Sequence, residues 1–261
     1  MISPKRSGLT ALVMAALLAS TSTAKAPLTT PACLAKKLKA WGNLRECQAT
    51  ENGKTLQGKE SNLPACTTTF NNALTKIDAQ ATAAAIACRY GVNGDGTATD
   101  YDTGLQWEQK DNLDGIPNPA DPHDADNTYA WSAGGSSGPN GSAFTGFLAS
   151  LNDCPSSDGT TLSGGFAGHC DWRLPSIVEL AGIKDPSVPG CNTGSPCIDQ
   201  TVFGPTTDSR SGAGYWSATT STIEAPSPYY AFYMWFGLGL GGVNIDLKDD
   251  DIYVRAVRSG L

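Results

Sequence analysis

Eight cysteines constrain this chain more than any other feature. They stand in two groups of four: Cys33, Cys47, Cys66 and Cys88, then Cys154, Cys170, Cys191 and Cys197, with no C-x-x-C pair in either. Even-numbered cysteines in an exported chain read as disulfides, because an oxidising compartment keeps them paired. Zinc is the weaker reading, since neither His123 nor His169 has ligand-like spacing to a cysteine pair. Export is itself legible at the start. Lys5 and Arg6 precede an apolar run from Leu9 to Ala19, and Ser22-Thr23-Ala24 supplies small residues for cleavage, so residues 1–24 read as a signal peptide. That run is too short to span a bilayer, and no later stretch is long enough, so no membrane insertion is expected after cleavage; an uncleaved anchor is the competing reading. Four cysteines allow three pairings per group. Nesting favours Cys33–Cys88 with Cys47–Cys66, and proximity favours Cys154–Cys170 and Cys191–Cys197.

Charge divides the rest. From Lys25 to Arg89 there are nine Lys/Arg against four Asp/Glu, a net of +5; from Tyr90 onward there are seven against 21, a net of −14. Residues 25–89 thus read as a basic piece and 90–261 as an acidic domain. The latter repels polyanions, so nucleic acid is not an expected partner. Leu34, Leu38 and Trp41 fall at helical spacing between Cys33 and Arg45, with Lys36, Lys37 and Lys39 on the wet side. Residues 48–63 read as a loop, and Cys66–Cys88 as a second helix carrying Phe70, Leu74, Ile77 and Ile86. A helical hairpin this small buries little apolar surface, so disulfides are its natural support.

The acidic domain opens on turn signals, Asn93-Gly94 and Asp95-Gly96, then alternation at Thr97, Thr99 and Tyr101, a turn at 102–104, and Leu105-Gln106-Trp107-Glu108. This is a β-hairpin. Asp111, Asp114, Asp121, Asp124 and Asp126 follow in a proline-bearing loop. Such a set offers oxygen ligands for Ca²⁺, against the plainer reading of a solvated acidic loop. Ala143–Leu151 reads as a helix with Phe144, Phe147, Leu148 and Leu151 on one face. In FAGHCDWRLPSIVELAGI, residues 166–183, Ser176 and Glu179 form a capping box. Val178, Leu180 and Ala181 supply that helix's apolar face, and Arg173 holds a carbonyl or carboxylate at the corner. The chain is then mostly loop through Arg210. Strands are expected at Tyr215–Thr219, at Tyr229–Phe236 as a central strand, at Asn244–Leu247, and at Ile252–Arg258, where Arg255 and Arg258 read as surface or paired arginines.

The blocks NGDGTATDYDTGLQWE, FAGHCDWRLPSIVEL, YWSATT and YVRAVRSG resemble, in order, the Lcl C-terminal domain family, over about Tyr90 to Gly260. The resemblance implies an exported bacterial α+β protein with a C-type-lectin-like fold. In that fold the first and last strands pair, two helices flank a twisted sheet, and long loops carry any ligand site. It also implies adhesion. Attachment to sulfated glycosaminoglycans is not carried over, because that needs basic surface. The short Glu-Pro-Asn, Gln-Pro-Asp and Trp-Asn-Asp signatures of calcium-dependent sugar binding do not occur.

Three function classes follow. The first is a non-catalytic binding module for a glycan or protein surface, with Tyr129, Trp131, Tyr229 and Tyr230 as stacking or anchor residues and core packing as their competing fate. The second is an envelope scaffold whose basic hairpin meets the acidic domain of another copy. The third is an enzyme related to the formylglycine-generating fold, which needs a free, accessible thiolate.

Overall fold

The structure is a computed structural model that describes residues 28–134, 137–154, 164–191, 193–207, 214–222, 227–237 and 242–261. Residues 1–24, expected to be a signal peptide, lie outside them, as do Gly239 and Gly241.

Two long helices come first. Helix α1 spans Thr30–Leu56, with Pro31 in its first turn, where a missing N–H is harmless. It overruns the loop expected at 48–63. The polar residues there bond along the helix: Thr50 Oγ1 donates to the Glu46 carbonyl and Thr55 Oγ1 to that of Glu51. Glu51 also bonds Lys54 Nζ at 2.6 Å and accepts the Asn62 N–H at 2.6 Å, so its carboxylate ties the helix end to the next element. Helix α2 spans Leu63–Ala83, capped by Asn62, which accepts from Ala65 N. It stops short of Cys88 because Ala85 takes a left-handed conformation (φ 52°). The disulfides Cys33–Cys88 and Cys47–Cys66 join the two helices in nested order.

Lys37 corrects the wet-side reading. It is only 1% exposed and lies between Asp78 Oδ1, at 2.6 Å, and Asp102 of the acidic domain. Beside it Trp41 Nε1 donates to the Tyr101 carbonyl at 2.9 Å. Gly104, at φ +74°, leaves room for that indole: a Cβ there would sit 2.7 Å from the ring. The helices are therefore docked on the turn of the following hairpin rather than loosely tethered.

That hairpin belongs to a four-stranded antiparallel sheet in the order β1 (Tyr90–Val92), β2 (Thr97–Asp100), β3 (Leu105–Glu108), β9 (Val257–Ser259). Tyr101 falls in the turn, just past β2. The last strand pairs with β3, Trp107 opposite Val257, and not with the first strand. Strands β4 (Tyr129–Ala130) and β8 (Asp251–Ile252) pair, and β5 (Gly214–Thr220), β6 (Tyr230–Trp235) and β7 (Val243–Leu247) form a third sheet with β6 in the centre, as its apolar composition requires. The strand expected at 252–258 is split into β8 and β9, because residues 254–256 leave the ladder to enter the core.

Segment Ala143–Leu148 is wound as a π-helix and continues into α3 (Ala149–Leu151). Ser176 caps α4 (Ile177–Gly182), and both bonds of the capping box with Glu179 are made. The buried face of α4 is carried by Leu180 with its neighbours Ile177 and Ile183, at three-residue spacing, while Val178 is 77% exposed. The stretch expected as loop to Arg210 contains α5 (Gln200–Phe203), capped by Asp199. One core gathers Trp131, Phe147, Leu151, Trp172, Trp216 and Val254; the other gathers Trp107, Leu180, Phe203, Tyr215, Met234 and Phe236. No helix among the described residues is long and apolar enough to cross a membrane.

Candidate functional site

The acidic loop leaves β3 above a buried charge centre. Glu108 is fully buried. Its Oε1 meets Lys110 Nζ and His123 Nδ1, each at 2.9 Å, and its Oε2 accepts the Ala256 N–H at 2.9 Å. Burial alone would push the Glu108 carboxyl up; Lys110, His123 and the Ala256 amide outweigh it and hold it below the ordinary carboxylate range. Lys110 also donates to the Pro122 carbonyl at 2.9 Å and lies 4.5 Å from the Phe147 ring centre. Arg255 completes the centre. It is fully buried, contrary to the surface reading, and donates to the carbonyls of Glu108 and Phe203 and to Thr206 Oγ1. Burial pushes its guanidinium down.

Above this centre the loop is tied to itself. Asp126 Oδ2 accepts the N–H groups of Asp114 and Gly115, Asp114 Oδ1 that of Ile116, Asp121 Oδ1 that of His123, and Asp124 Oδ1 that of Asp126. Asp111 joins through backbone, donating to His123 O and accepting from Ala125 N. Asp124 is buried, and Asn112 Nδ2 reaches its second oxygen at 3.2 Å. Four of the five carboxylates thus serve as backbone acceptors, which makes the loop more ordered than a merely solvated one. Among the described residues no group of three or more His, Cys, Asp or Glu side chains converges as metal ligands do.

Of the candidate aromatics, Tyr129 is the one that falls within reach of this loop's charges. Tyr129 is half-buried against Phe147, 5.3 Å between ring centres. Burial, with the charges of Glu108, Asp124 and Asp121, pushes its hydroxyl up to about 12, against a hydrogen bond with Asn127. Trp131 is 4% exposed, and its Nε1 donates to the Ser217 carbonyl, so it belongs to the core and not to a stacking surface. Tyr229 is 44% exposed, and Tyr230, half-buried, begins β6. Lys248 ties these positions together. Its backbone N–H donates to Tyr229 O, its carbonyl accepts from Ser132 N, and its ammonium lies 3.9 Å from the Trp131 ring centre while bonding Ser137 O and Thr220 Oγ1. Burial pushes this lysine down. Three aspartates follow Lys248 in the chain, and no local pattern marks it as buried.

The remaining positions are structural. Arg173 pairs with both Glu179 oxygens at 2.7 and 2.8 Å and touches the Leu174 carbonyl, as the corner required. Arg258 pairs with Asp171 at 2.7 Å. His169 closes the short turn Phe166–Gly168. Cys154–Cys170 and Cys191–Cys197 are bonded, so all eight cysteines are in disulfides and none offers a thiolate.

A disulfide-bonded α+β domain, with three small sheets among the described residues and an ordered acidic loop, is the class of protein these features define. The model of the Lcl C-terminal domain matches residues 96–258, and the chain belongs to that family. Neither a curated protein nor a solved structure matches it.

Proposed function

We propose that this chain is an exported, non-catalytic binding module with a C-type-lectin-like domain, and that it engages a glycan or protein surface through the acidic loop and the tyrosines Tyr129, Tyr229 and Tyr230. The return of the C-terminal strand to the domain's opening hairpin supports the lectin-like reading, as do the loops that occupy its middle. Four disulfides agree with an oxidising compartment. The observation that carries the proposal is the pairing of an ordered loop with exposed aromatic area. Asp114, Asp121, Asp124 and Asp126 hold the loop by backbone bonds, and Tyr229 stands 44% exposed with its carbonyl fixed by Lys248. A preordered surface loses little conformational freedom on binding, and tyrosine contributes broad contact at low entropic cost. The fold alone does not argue for a ligand.

Binding of the oxidised protein to a glycan array, with Ca²⁺ and with chelator, tests this. Signal that falls at least tenfold in Tyr229→Ala or Tyr230→Ala, with unchanged thermal stability, supports the tyrosine face. Loss on chelation would recruit the five loop aspartates as calcium ligands. Silence on the array and against candidate protein surfaces, or tyrosine variants that lose only stability, sinks the proposal.

A further inference from the structure

Two surface features on opposite ends of the molecule are complementary. Helices α1 and α2 leave between them a groove of about 210 Å³, floored by Leu44, Phe70, Ala73 and Ile77 and bordered by Lys36 and Lys39. At the other end the acidic loop displays two aliphatic side chains, Leu113 at 43% and Ile116 at 69% exposure, flanked by Asp111 and Asp114. An aliphatic side chain on a loop tip usually moves freely; here the backbone beneath it is fixed. Asp126 Oδ2 accepts from the N–H groups of Asp114 and Gly115 at 2.9 and 2.8 Å, and Asp114 Oδ1 accepts from Ile116 N at 2.9 Å. The tip is thus a preformed apolar finger bearing negative charge, and the groove a preformed apolar slot bearing positive charge.

We infer that the groove of one copy receives the Leu113–Ile116 finger of a second copy. In this structure a chain's own finger does not sit in its own groove, since Leu113 and Ile116 stay exposed. The helices dock on the turn at one end of β3, through Trp41 and the Tyr101 carbonyl, whereas the loop departs from the other end, after Glu108. Those ends are about 10 Å apart along the strand at roughly 3.3 Å per residue, and the finger is held at its own end by the bonds just named. The net charges of +5 and −14 on the two portions act in the same sense as the local ones. The contact joins two different surfaces, so it propagates head to tail rather than closing as a two-fold dimer. The finger lies on the acidic loop that the proposed function also uses, but the contact needs neither calcium nor the tyrosines, so loss of array signal in the tyrosine variants and loss of assembly in the Ile116 variant are distinguishable.

Sedimentation velocity of the oxidised protein at low and high salt tests the contact, together with Ile116→Asp, which blocks the finger, and Lys39→Glu, which reverses charge at the groove. Both positions are exposed, and thermal melts confirm that each variant folds. The expected result is association of the wild type that grows with concentration at low salt and falls away at high salt, with each variant monomeric alone. Mixing the variants is the decisive arm. The Lys39→Glu copy keeps its finger and the Ile116→Asp copy keeps its groove, so the mixture should give a one-to-one complex and nothing larger. A wild type that stays monomeric at low salt, a single variant that still assembles, or a mixture that stays monomeric overturns the inference.

Discussion

Replacing Glu108 by Gln tests whether the buried charge centre holds the acidic loop on the domain. The substitution keeps the size and one carbonyl acceptor but removes the charge facing Lys110 Nζ at 2.9 Å. The Lys110 ammonium, itself almost fully buried, is then left with the Pro122 carbonyl and the face of Phe147. Breaking a buried pair by removing one partner costs about 3–5 kcal/mol. The retained amide can still serve Ala256 N–H, which places the expected loss at the lower end, about 3 kcal/mol. Urea unfolding of the oxidised protein, followed by tryptophan fluorescence, reads this as a midpoint shift of about 1–2 M at an ordinary slope. Adding Lys110→Met removes the stranded charge and should recover most of the loss. The pH dependence has a fixed sign. Glu108 is held below its unfolded value, so its contribution is fully present above about pH 4.3 and is lost as pH falls through the folded value. Wild type and variant should therefore converge in acid. A deficit under about 1 kcal/mol at pH 7, or one that persists unchanged in acid, would refute the reasoning.

Four further substitutions probe the scaffold by the same unfolding measurement. Lys37→Met should cost about 1–3 kcal/mol, the range for hydrogen bonds to charged groups, because its partners Asp78 and Asp102 stay partly in water. Gly104→Ala should cost about 1–3 kcal/mol by forcing Trp41 aside, whereas Gly53→Ala, in an open position inside α1, should gain up to about 1 kcal/mol. Ser176→Ala should cost about 1 kcal/mol through loss of the cap on α4, and a loss below about 0.3 kcal/mol would show that Glu179 and Arg173 hold that corner without it.

Local chemistry was legible wherever one residue type dictates one geometry. Ser176 and Glu179 announced a capped helix, and both bonds of the box are present. Asn93-Gly94 and Asp95-Gly96 announced a turn, and Tyr90–Val92 pairs with Thr97–Asp100 across it. Boundaries were less legible, since they rest on contacts made from outside the segment. The end of α1 depends on Glu51 reaching Asn62, and a polar run with two glycines gives no hint of that. The face of α4 was misread for a similar reason: Val178 and Leu180 are equally apolar, and only the sheet beneath decides that Leu180 is covered.

Charge was the least legible property, and the reason bears on function. A sequence assigns Lys37, Lys110, Lys248 and Arg255 to water because lone buried charges are prohibitive. Each is nevertheless buried, with donors satisfied by Asp78 and Asp102 for Lys37, Glu108 and Pro122 for Lys110, Thr220 and Ser137 for Lys248, and the Glu108 and Phe203 carbonyls and Thr206 for Arg255. These bonds tie α1 to the hairpin turn, fasten the acidic loop at its base, join the turn after β7 to β5, and join residue 255 to the ends of β3 and α5, connections that hydrophobic area alone would leave free to slide. A domain with short strands, several of only two or three residues, has few ladder bonds with which to fix its loops. Buried cations at the loop bases replace them. The strongly acidic surface of the domain then follows from the same architecture: with three of its own cations, Lys110, Lys248 and Arg255, withdrawn into the interior, the carboxylates left outside meet few local counter-charges.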